Sequence, residues 1–190
     1  MRQLEIDLGH GHPTREVSIA DIRECAIPMA RFQGLAKTYL QDCEWERFEK
    51  ERFLGRRGIQ HGDLHPANVL LIDERPLLID YERYESSALL CTDPVTLEFS
   101  LLFHPDAVRW RGDWPSEEQA AEWHDINTYT RNCPAAEFVI ACREWAYATE
   151  EDPRAVAASV YAYACRQLRY PKTDKALAIA LIRRSIAMFE

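Results

Sequence analysis

Residues 59–73 read IQHGDLHPANVLLID, and residues 78–82 read LIDYE. Two short apolar runs, 69–72 and 77–79, flank a turn that carries Pro76, which is the pattern of a β-hairpin. Polar residues stand just before the first run and just after the second. The segment therefore predicts a hairpin with a polar loop at one end, and the rest of the chain is interpreted around it.

The polar residues of this segment match the needs of phosphoryl transfer. That reaction requires a carboxylate that orients the attacking hydroxyl, and oxygen ligands for Mg²⁺ ions that bridge the nucleotide phosphates. Asp63, Asn68 and Asp80 can supply this set. Asn68 lies five residues after Asp63, the offset of a kinase catalytic loop, and the hairpin is expected to return Asp80 to the side of Asn68. The structural alternative is a polar turn around a hairpin.

The sequence HGDLHPANVL followed by LIDYE resembles the signature of the aminoglycoside phosphotransferase and choline kinase superfamily. The resemblance covers roughly residues 57–103. It implies that Asp63 is the catalytic base and that His61 organises the loop. It also implies that Asn68 and Asp80 bind the metal and the nucleotide. The implied reaction transfers the γ-phosphate of ATP or GTP to the hydroxyl of a small molecule with Mg²⁺.

A further stretch, TDPVTLE at residues 92–98, resembles an element of ternary complex-associated domains, a bacterial phosphotransferase-like subgroup. The resemblance implies that Asp93 braces the catalytic loop through hydrogen bonds to the loop backbone. Alternatively, Asp93 caps the helix that is predicted to begin at Pro94. Both roles can hold at once.

The whole chain predicts an α+β fold that is mainly α, with the architecture of a protein kinase-like C-terminal lobe. Residues 1–56 are expected to form leading helices, after a segment that is irregular or briefly extended. Residues 57–85 are expected to form the catalytic loop and the metal-binding hairpin, and residues 86–190 a helical subdomain. One domain over residues 1–190 is expected from this length and composition.

Helical spacing of apolar residues begins at Ser18, and Pro28 is expected to divide this stretch. A second helix is predicted through Trp45 and Phe53, ending near Gly55. The hairpin is the only segment that is clearly predicted as strand. Further helices are predicted at 94–103, 116–130, 135–148, 152–169 and 173–189.

The sequence has no recognisable nucleotide-binding lobe. A complete kinase-like enzyme has a glycine-rich strand pair and a strand lysine over the phosphates. This chain has seven glycines without a G-x-G-x-x-G pattern, and Lys37 lies in a helical pattern. The small N-terminal lobe is therefore predicted to be absent, so that the chain is a lone lobe, a fragment, or a module to which a partner protein supplies the nucleotide clamp. An inactive kinase-fold binding or regulatory module is the alternative function.

Composition limits the classes of partner. A formal net charge of −8 and a pI near 5.3 argue against a protein that binds nucleic acid or an anionic membrane. The charged N-terminus and the lack of a long apolar run predict a cytoplasmic protein with no leader or membrane span. Six cysteines without a CxxC pair predict reduced thiols. An acidic rim of Glu82, Glu85 and Glu98 is expected to favour a cationic acceptor.

Two other enzyme classes fit this sequence less well. The stretch GDLH resembles the opening motif of calcineurin-like metallophosphoesterases, but their later Gly-Asp-x-x-Asp-Arg and Gly-Asn-His elements do not occur in the sequence. No Gly-x-Ser-x-Gly elbow of a serine hydrolase occurs either. The spacing of His10, His12, His104 and His124 is not typical of metal ligands.

Overall fold

The structure, a computed structural model, describes residues 13–73, 75–150 and 152–190, and it is α+β and mainly helical, as predicted. The strands are β1 (Thr14–Ser18), β2 (Arg52–Gln60), β3 (Val69–Ile72), β4 (Arg75–Leu78) and β5 (Glu85–Leu89). The helices are α1 (Ile19–Ala26), α2 (Met29–Tyr39), α3 (Trp45–Phe48), α4 (Thr92–Phe103), α5 (Pro105–Arg111), α6 (Glu117–Ala121), α7 (Ile126–Tyr129), α8 (Ala136–Thr149), α9 (Pro153–Gln167) and α10 (Lys175–Ala187).

The strands form two separate antiparallel sheets. The first has the order β1-β2-β5, and the second is the predicted hairpin of β3 and β4. In the hairpin Val69 pairs with Leu78 and Ile72 with Arg75. The hairpin therefore carries the chain back beside its own starting point, so that the residues before β3 and after β4 lie at the same end.

The prediction of a helix through Phe53 was wrong, because residues 52–60 form the central strand of the first sheet. A Cβ on Gly55 would lie 2.7 Å from a methyl carbon of Leu89, so the glycine permits close packing of β2 against β5. Gly55 and Gly58 therefore lie within a paired strand and do not end a helix. Strand β1 was expected only as a briefly extended segment, and together with the start of β2 it corrects the description of residues 1–56 as leading helices. Strand β5 was not predicted.

The predicted division at Pro28 is confirmed, since α1 ends before this residue and α2 begins after it. Ser18 and Asp21 form a capping box at the start of α1. Four of the five later helical segments are observed with small shifts of their ends, whereas residues 116–130 divide into α6 and α7. Helix α5 was not predicted. Residues 1–12 lie outside the described part of the chain, so a single domain over 1–190 stays a prediction.

Helix α9 is the central element of the core. It packs against α1, α4 and α10 and touches β2. Nearly all of its residues are buried, and its alanines let the neighbouring helices approach closely. Arg166, near its C-terminal end, is thereby directed from the core toward the loop between β2 and β3.

Buried ion pairs link the helices. Glu98 of α4 and Arg143 of α8 form a bidentate pair, with N–O distances of 2.9 and 2.5 Å, and both side chains are almost fully buried. Arg23 of α1 pairs in the same way with Glu49 at 2.7 and 2.9 Å. Glu98 therefore cannot belong to an acidic surface rim, which corrects that expectation.

Glu150, directly after α8, anchors the helical part of the chain to the first sheet. Its two carboxylate oxygens accept hydrogen bonds from Arg56 N at 3.0 Å and from Leu90 N at 3.1 Å. Burial raises the pKa of Glu150 to about 7, although the backbone donors act in the opposite direction. A separate finding is that none of the helices within the described residues is long and apolar enough to traverse a bilayer.

Candidate functional site

The polar loop begins where β2 ends, and Asp93 holds it in place. Asp93 Oδ2 accepts a hydrogen bond from His61 N at 2.7 Å, and Oδ1 accepts one from Gly62 N at 2.9 Å. Gln60 Oε1 in turn accepts from Asp93 N at 3.0 Å. The expected brace is thus confirmed. Asp93 is not the cap of its helix, because the N-cap position is Cys91 and carries no side-chain hydrogen bond.

Gly62 is required by the shape of the loop. Its φ of +76° lies in the left-handed region, and a Cβ there would lie 2.2 Å from the carbonyl oxygen of Arg83. Any side chain at this position would push the loop away from residues 81–85. The glycine therefore fixes how closely the loop approaches the chain beyond the hairpin.

Asn68 connects the two ends of the site. Its side-chain Nδ2 donates to the carbonyl oxygen of Asp63 at 3.0 Å, and its backbone oxygen accepts from Ile79 N at 3.1 Å. Because Asp80 follows Ile79 directly, Asp63, Asn68 and Asp80 lie at one end of the hairpin. This is the juxtaposition that the sequence predicted for these residues.

His61 links the loop to the same point. Its Nε2 lies 2.8 Å from the carbonyl oxygen of Ile79, a distance at which the ring donates, and the ring packs against Tyr81 with 4.8 Å between ring centres. His61 is 3% exposed, and its Nδ1 has no hydrogen-bond partner. These contacts suit a residue that positions the loop, since the side chain is not accessible to a substrate.

The oxygens of Asn68 and Asp80 fit Mg²⁺. Asn68 directs its amide NH₂ to Asp63, so its amide oxygen is left for another partner. No described residue donates to the Asp80 carboxylate, which is exposed on a residue with a φ of 63°. Amide and carboxylate oxygens are ligands that Mg²⁺ prefers, and the remaining ligands usually come from waters and substrate phosphates. Within the described residues, no three His, Cys, Asp or Glu side chains converge to hold a metal by themselves.

Two arginines that no local sequence pattern distinguishes hold the carboxylate of Asp63. Arg166 Nη2 donates to Oδ1 at 2.9 Å, and Arg83 Nε lies 3.5 Å from Oδ2. Arg166 also donates from Nη1 to Gly62 O at 3.3 Å. Arg166 is 103 residues away from Asp63 along the chain, so only the packing of α9 brings them together.

Two cavities meet at this loop. The larger, of about 640 Å³, is lined by Asp63 and His65 on one side and by α4 and the Tyr170–Thr173 turn on the other, and it is called the Asp63 cavity below. The smaller, of about 200 Å³, lies between α1 and residues 82–85. Arg166 lines both cavities, so it separates the space beside Asp63 from the space behind the loop.

One wall of the Asp63 cavity is a pair of stacked imidazoles. His65 and His104 lie 4.1 Å apart between ring centres. Burial, followed by the proximity of His104, lowers the pKa of His65, against the influence of Asp63 and Asp80. His65 is therefore a neutral, flat surface near neutral pH. No sequence pattern predicted a role for His65 or for His104.

The family model for ternary complex associated domain 9 matches residues 13–167. The match runs from β1 to the end of α9, so it includes the whole loop, the hairpin, Asp93 and Arg166. No curated protein matches the chain. Since the family model covers most of its length, the chain belongs to the ternary complex associated domain 9 family.

Proposed function

We propose that this chain is the catalytic lobe of a kinase-like phosphotransferase, which transfers the γ-phosphoryl group of ATP or GTP to the hydroxyl of a small molecule. The observation that carries the proposal is the convergence of Asp63, Asn68 and Asp80 at one end of the hairpin. The brace by Asp93 adds support, because catalysis of phosphoryl transfer depends mainly on positioning and electrostatic stabilisation.

In the proposed reaction, a bond forms between the acceptor oxygen and the γ-phosphorus, and the bond from the γ-phosphorus to the bridging oxygen breaks. The products are a phosphate monoester and a nucleoside diphosphate. Asp63 orients the acceptor hydroxyl and accepts its proton. Asn68 and Asp80 would hold Mg²⁺, which neutralises charge on the nucleotide phosphates when it is bound.

Arg166 and Arg83 have a definite role in this proposal. Both face the carboxylate of Asp63 and fix its orientation before a substrate arrives. The acceptor hydroxyl then shares the carboxylate with Arg83, whose contact with it is the longer one. Preorganisation of this kind lowers the cost of forming the reactive arrangement.

The second candidate is a binding or regulatory module that does not catalyse phosphoryl transfer, and a specific observation favours it. The hairpin exposes a set of large apolar side chains, which marks a surface for another protein. These are Leu70, Leu71, Ile72 and Leu77. The name of the family also refers to a ternary complex. In an active module, this surface would receive the partner protein or lobe that supplies the nucleotide clamp.

The experiment that tests the proposal is a thermal-shift titration of the purified chain with ATP and GTP, with and without Mg²⁺. A ligand that binds only the native state raises the apparent melting temperature. We expect a magnesium-dependent rise in the wild-type chain and in Asp63→Asn, because the metal ligands are intact in both. In a second assay, nucleoside diphosphate release is measured in the presence of a panel of small molecules that carry hydroxyl groups. Release should occur with the wild-type chain and not with Asp63→Asn. A magnesium-dependent rise without any release would favour the inactive module, and no rise would contradict the proposal.

A further inference from the structure

We propose that the Asp63 cavity selects an acceptor with an aromatic or aliphatic body and an anionic substituent, not the cationic acceptor expected from the sequence. This inference rests on the proposed function, because it names the acceptor class of that site. It is supported by the charges that line the cavity, by its apolar walls and by its volume.

The charges that line the cavity favour an anion. Asp63 is the only carboxylate among the described residues that line it, and both of its oxygens already face arginines. Arg166, which pairs with Asp63, and Lys172 also line the cavity. Lys172 is exposed and has no ion pair with any described residue. An unpaired cation remains at the wall after Asp63 is neutralised, so an anionic ligand gains a partner and a cationic one does not.

The acidic residues that suggested a cationic acceptor do not line this cavity. Glu98 is buried against Arg143. Glu82 and Glu85 line the smaller cavity behind the loop, beside Arg83. A cationic acceptor in the Asp63 cavity would therefore meet Asp63 alone, and this carboxylate is shared between two guanidinium groups.

The walls of the cavity suit an apolar body. Phe103, Tyr163 and Tyr170 supply aromatic surface, and His65 and His104 form the stacked pair described above. A volume of about 640 Å³ lies within the range of small-molecule sites, which are mostly apolar with a few convergent polar groups. An aromatic ring can lie against these flat side chains while its hydroxyl faces Asp63.

The Tyr170–Thr173 turn, which carries Lys172, is held in a fixed position. Lys175 donates from Nζ to the carbonyl oxygens of Tyr170 and Gln167, and Thr173 N donates to Tyr170 O at 3.2 Å. The turn is therefore part of a preformed wall, and the backbone of Lys172 has a fixed position beside the cavity.

The test uses three compounds with the same phenol ring and different charge: 4-hydroxyphenylacetate, tyramine and tyrosol, which are anionic, cationic and neutral at pH 7.5. Their binding to the full chain is measured by ligand-observed NMR titration, without nucleotide or Mg²⁺. We expect 4-hydroxyphenylacetate to bind at least about tenfold more tightly than tyramine, with tyrosol between them.

Two variants in the cavity wall and one control variant assign the selectivity to this cavity. Lys172→Glu should remove the preference for the anion, whereas Lys50→Glu, the same charge change at an exposed lysine that does not line the cavity, should retain it. Thr173→Trp, on the partly exposed turn, should fill the mouth of the cavity and weaken all three compounds.

Equal or tighter binding of tyramine would overturn the proposal, as would unchanged binding in Thr173→Trp or no binding of any compound. Because the readout needs neither nucleotide nor metal, its failure is distinguishable from failure of the proposed function. Magnesium-dependent nucleotide binding with a cation-selective cavity would reject this inference alone. An anion-selective cavity in a chain that does not bind nucleotide with Mg²⁺ would reject the phosphotransferase function and retain the anion selectivity of the cavity.

Discussion

Arg166 in α9 donates a hydrogen bond from Nη2 to Oδ1 of Asp63 at 2.9 Å, which joins the central helix of the core to the polar loop. The guanidinium of Arg166 also lies over the ring of Tyr163, with 5.4 Å from Cζ to the ring centre. The position of the Asp63 carboxylate therefore depends on the packing of the helical part of the chain as well as on the loop itself.

The first prediction concerns this contact. Arg166→Met should lower the free energy of unfolding by about 1–3 kcal/mol, because Asp63 and Gly62 O lose their buried donor. Urea unfolding measures the loss. Arg169→Met serves as the control, since Arg169 contacts Tyr170 and not the loop, and it should cost less. An Arg166→Met chain as stable as the wild type would show that the contact does not hold the loop.

The second prediction concerns Asp93. Asp93→Ala should lower the free energy of unfolding by about 3 kcal/mol, because His61 N and Gly62 N are left without an acceptor. Asp93→Asn retains one acceptor oxygen and should lose less. Asp106→Ala, at an exposed carboxylate in the first turn of α5, should change stability by less than about 1 kcal/mol. Similar losses in the Asp93 and Asp106 alanine variants would contradict the bracing role.

The third prediction is a pH dependence. The pKa of Glu150 is about 7 in the folded chain and its ordinary value is 4.5, so the folded state binds more protons between these limits. Its contribution to stability is fully present below pH 4.5 and is lost as pH rises through 7. Glu150→Gln has no titrating group at this position. Relative to this variant, the free energy of unfolding of the wild-type chain should fall by up to about 3 kcal/mol as the pH rises across this range.

Chemical unfolding of both chains at a series of pH values measures this difference. Arg56 N and Leu90 N donate to different oxygens of Glu150, and glutamine replaces one of these oxygens by an NH₂ group that cannot accept. The variant is therefore expected to be less stable by a constant amount. His65 and His124, whose pKa values burial lowers, titrate in both chains and cancel in the comparison. Parallel stability curves would show that Glu150 does not bind the extra proton.

The fourth prediction concerns the buried pair of Glu98 and Arg143. Glu98→Leu should cost about 3–5 kcal/mol of stability, because it leaves an uncompensated charge in the core. The double variant Glu98→Leu, Arg143→Met should be more stable than Glu98→Leu alone, since it removes that charge. Urea unfolding of Glu98→Leu, Arg143→Met and the double variant measures the loss of stability in each. A double variant whose cost equals the sum of its parts would show that the pair is not coupled.

The site was more predictable than the fold around it. Asp63, Asn68 and Asp80 lie close together in sequence, on a loop and a hairpin whose geometry follows from local patterns. Asp93 was identified from a resemblance and its contacts agree with it. Arg166 could not be identified, because its partner is 103 residues away and no local pattern distinguishes it from other arginines.

The first sheet was missed for a physical reason. Strand β2 contains Gly55 and Gly58, which ordinarily end regular structure, but the Gly55 position has no room for a side chain against Leu89. Strand β5 has the sequence ESSAL, with no β-branched residue, so pairing with β2 determines its conformation and not its own propensity. The conformation of these strands depends on interactions between segments that are distant in sequence. A local sequence pattern does not reveal such interactions.

The fifth prediction tests the central claim, that Asn68 and Asp80 form a metal–nucleotide site. Mn²⁺ can replace Mg²⁺, and electron paramagnetic resonance measures how much of it is bound in the presence of ATP. Asp80→Asn removes one ligand charge and keeps a residue type that tolerates the left-handed backbone. Asp73→Asn is the matched control, because Asp73 also has a positive φ but lies at the turn of the hairpin.

We expect the wild-type chain and Asp73→Asn to bind Mn²⁺–ATP equally well, and Asp80→Asn to bind it at least about tenfold more weakly. Equal binding by Asp80→Asn, or no binding by the wild-type chain, would contradict the assignment of this site.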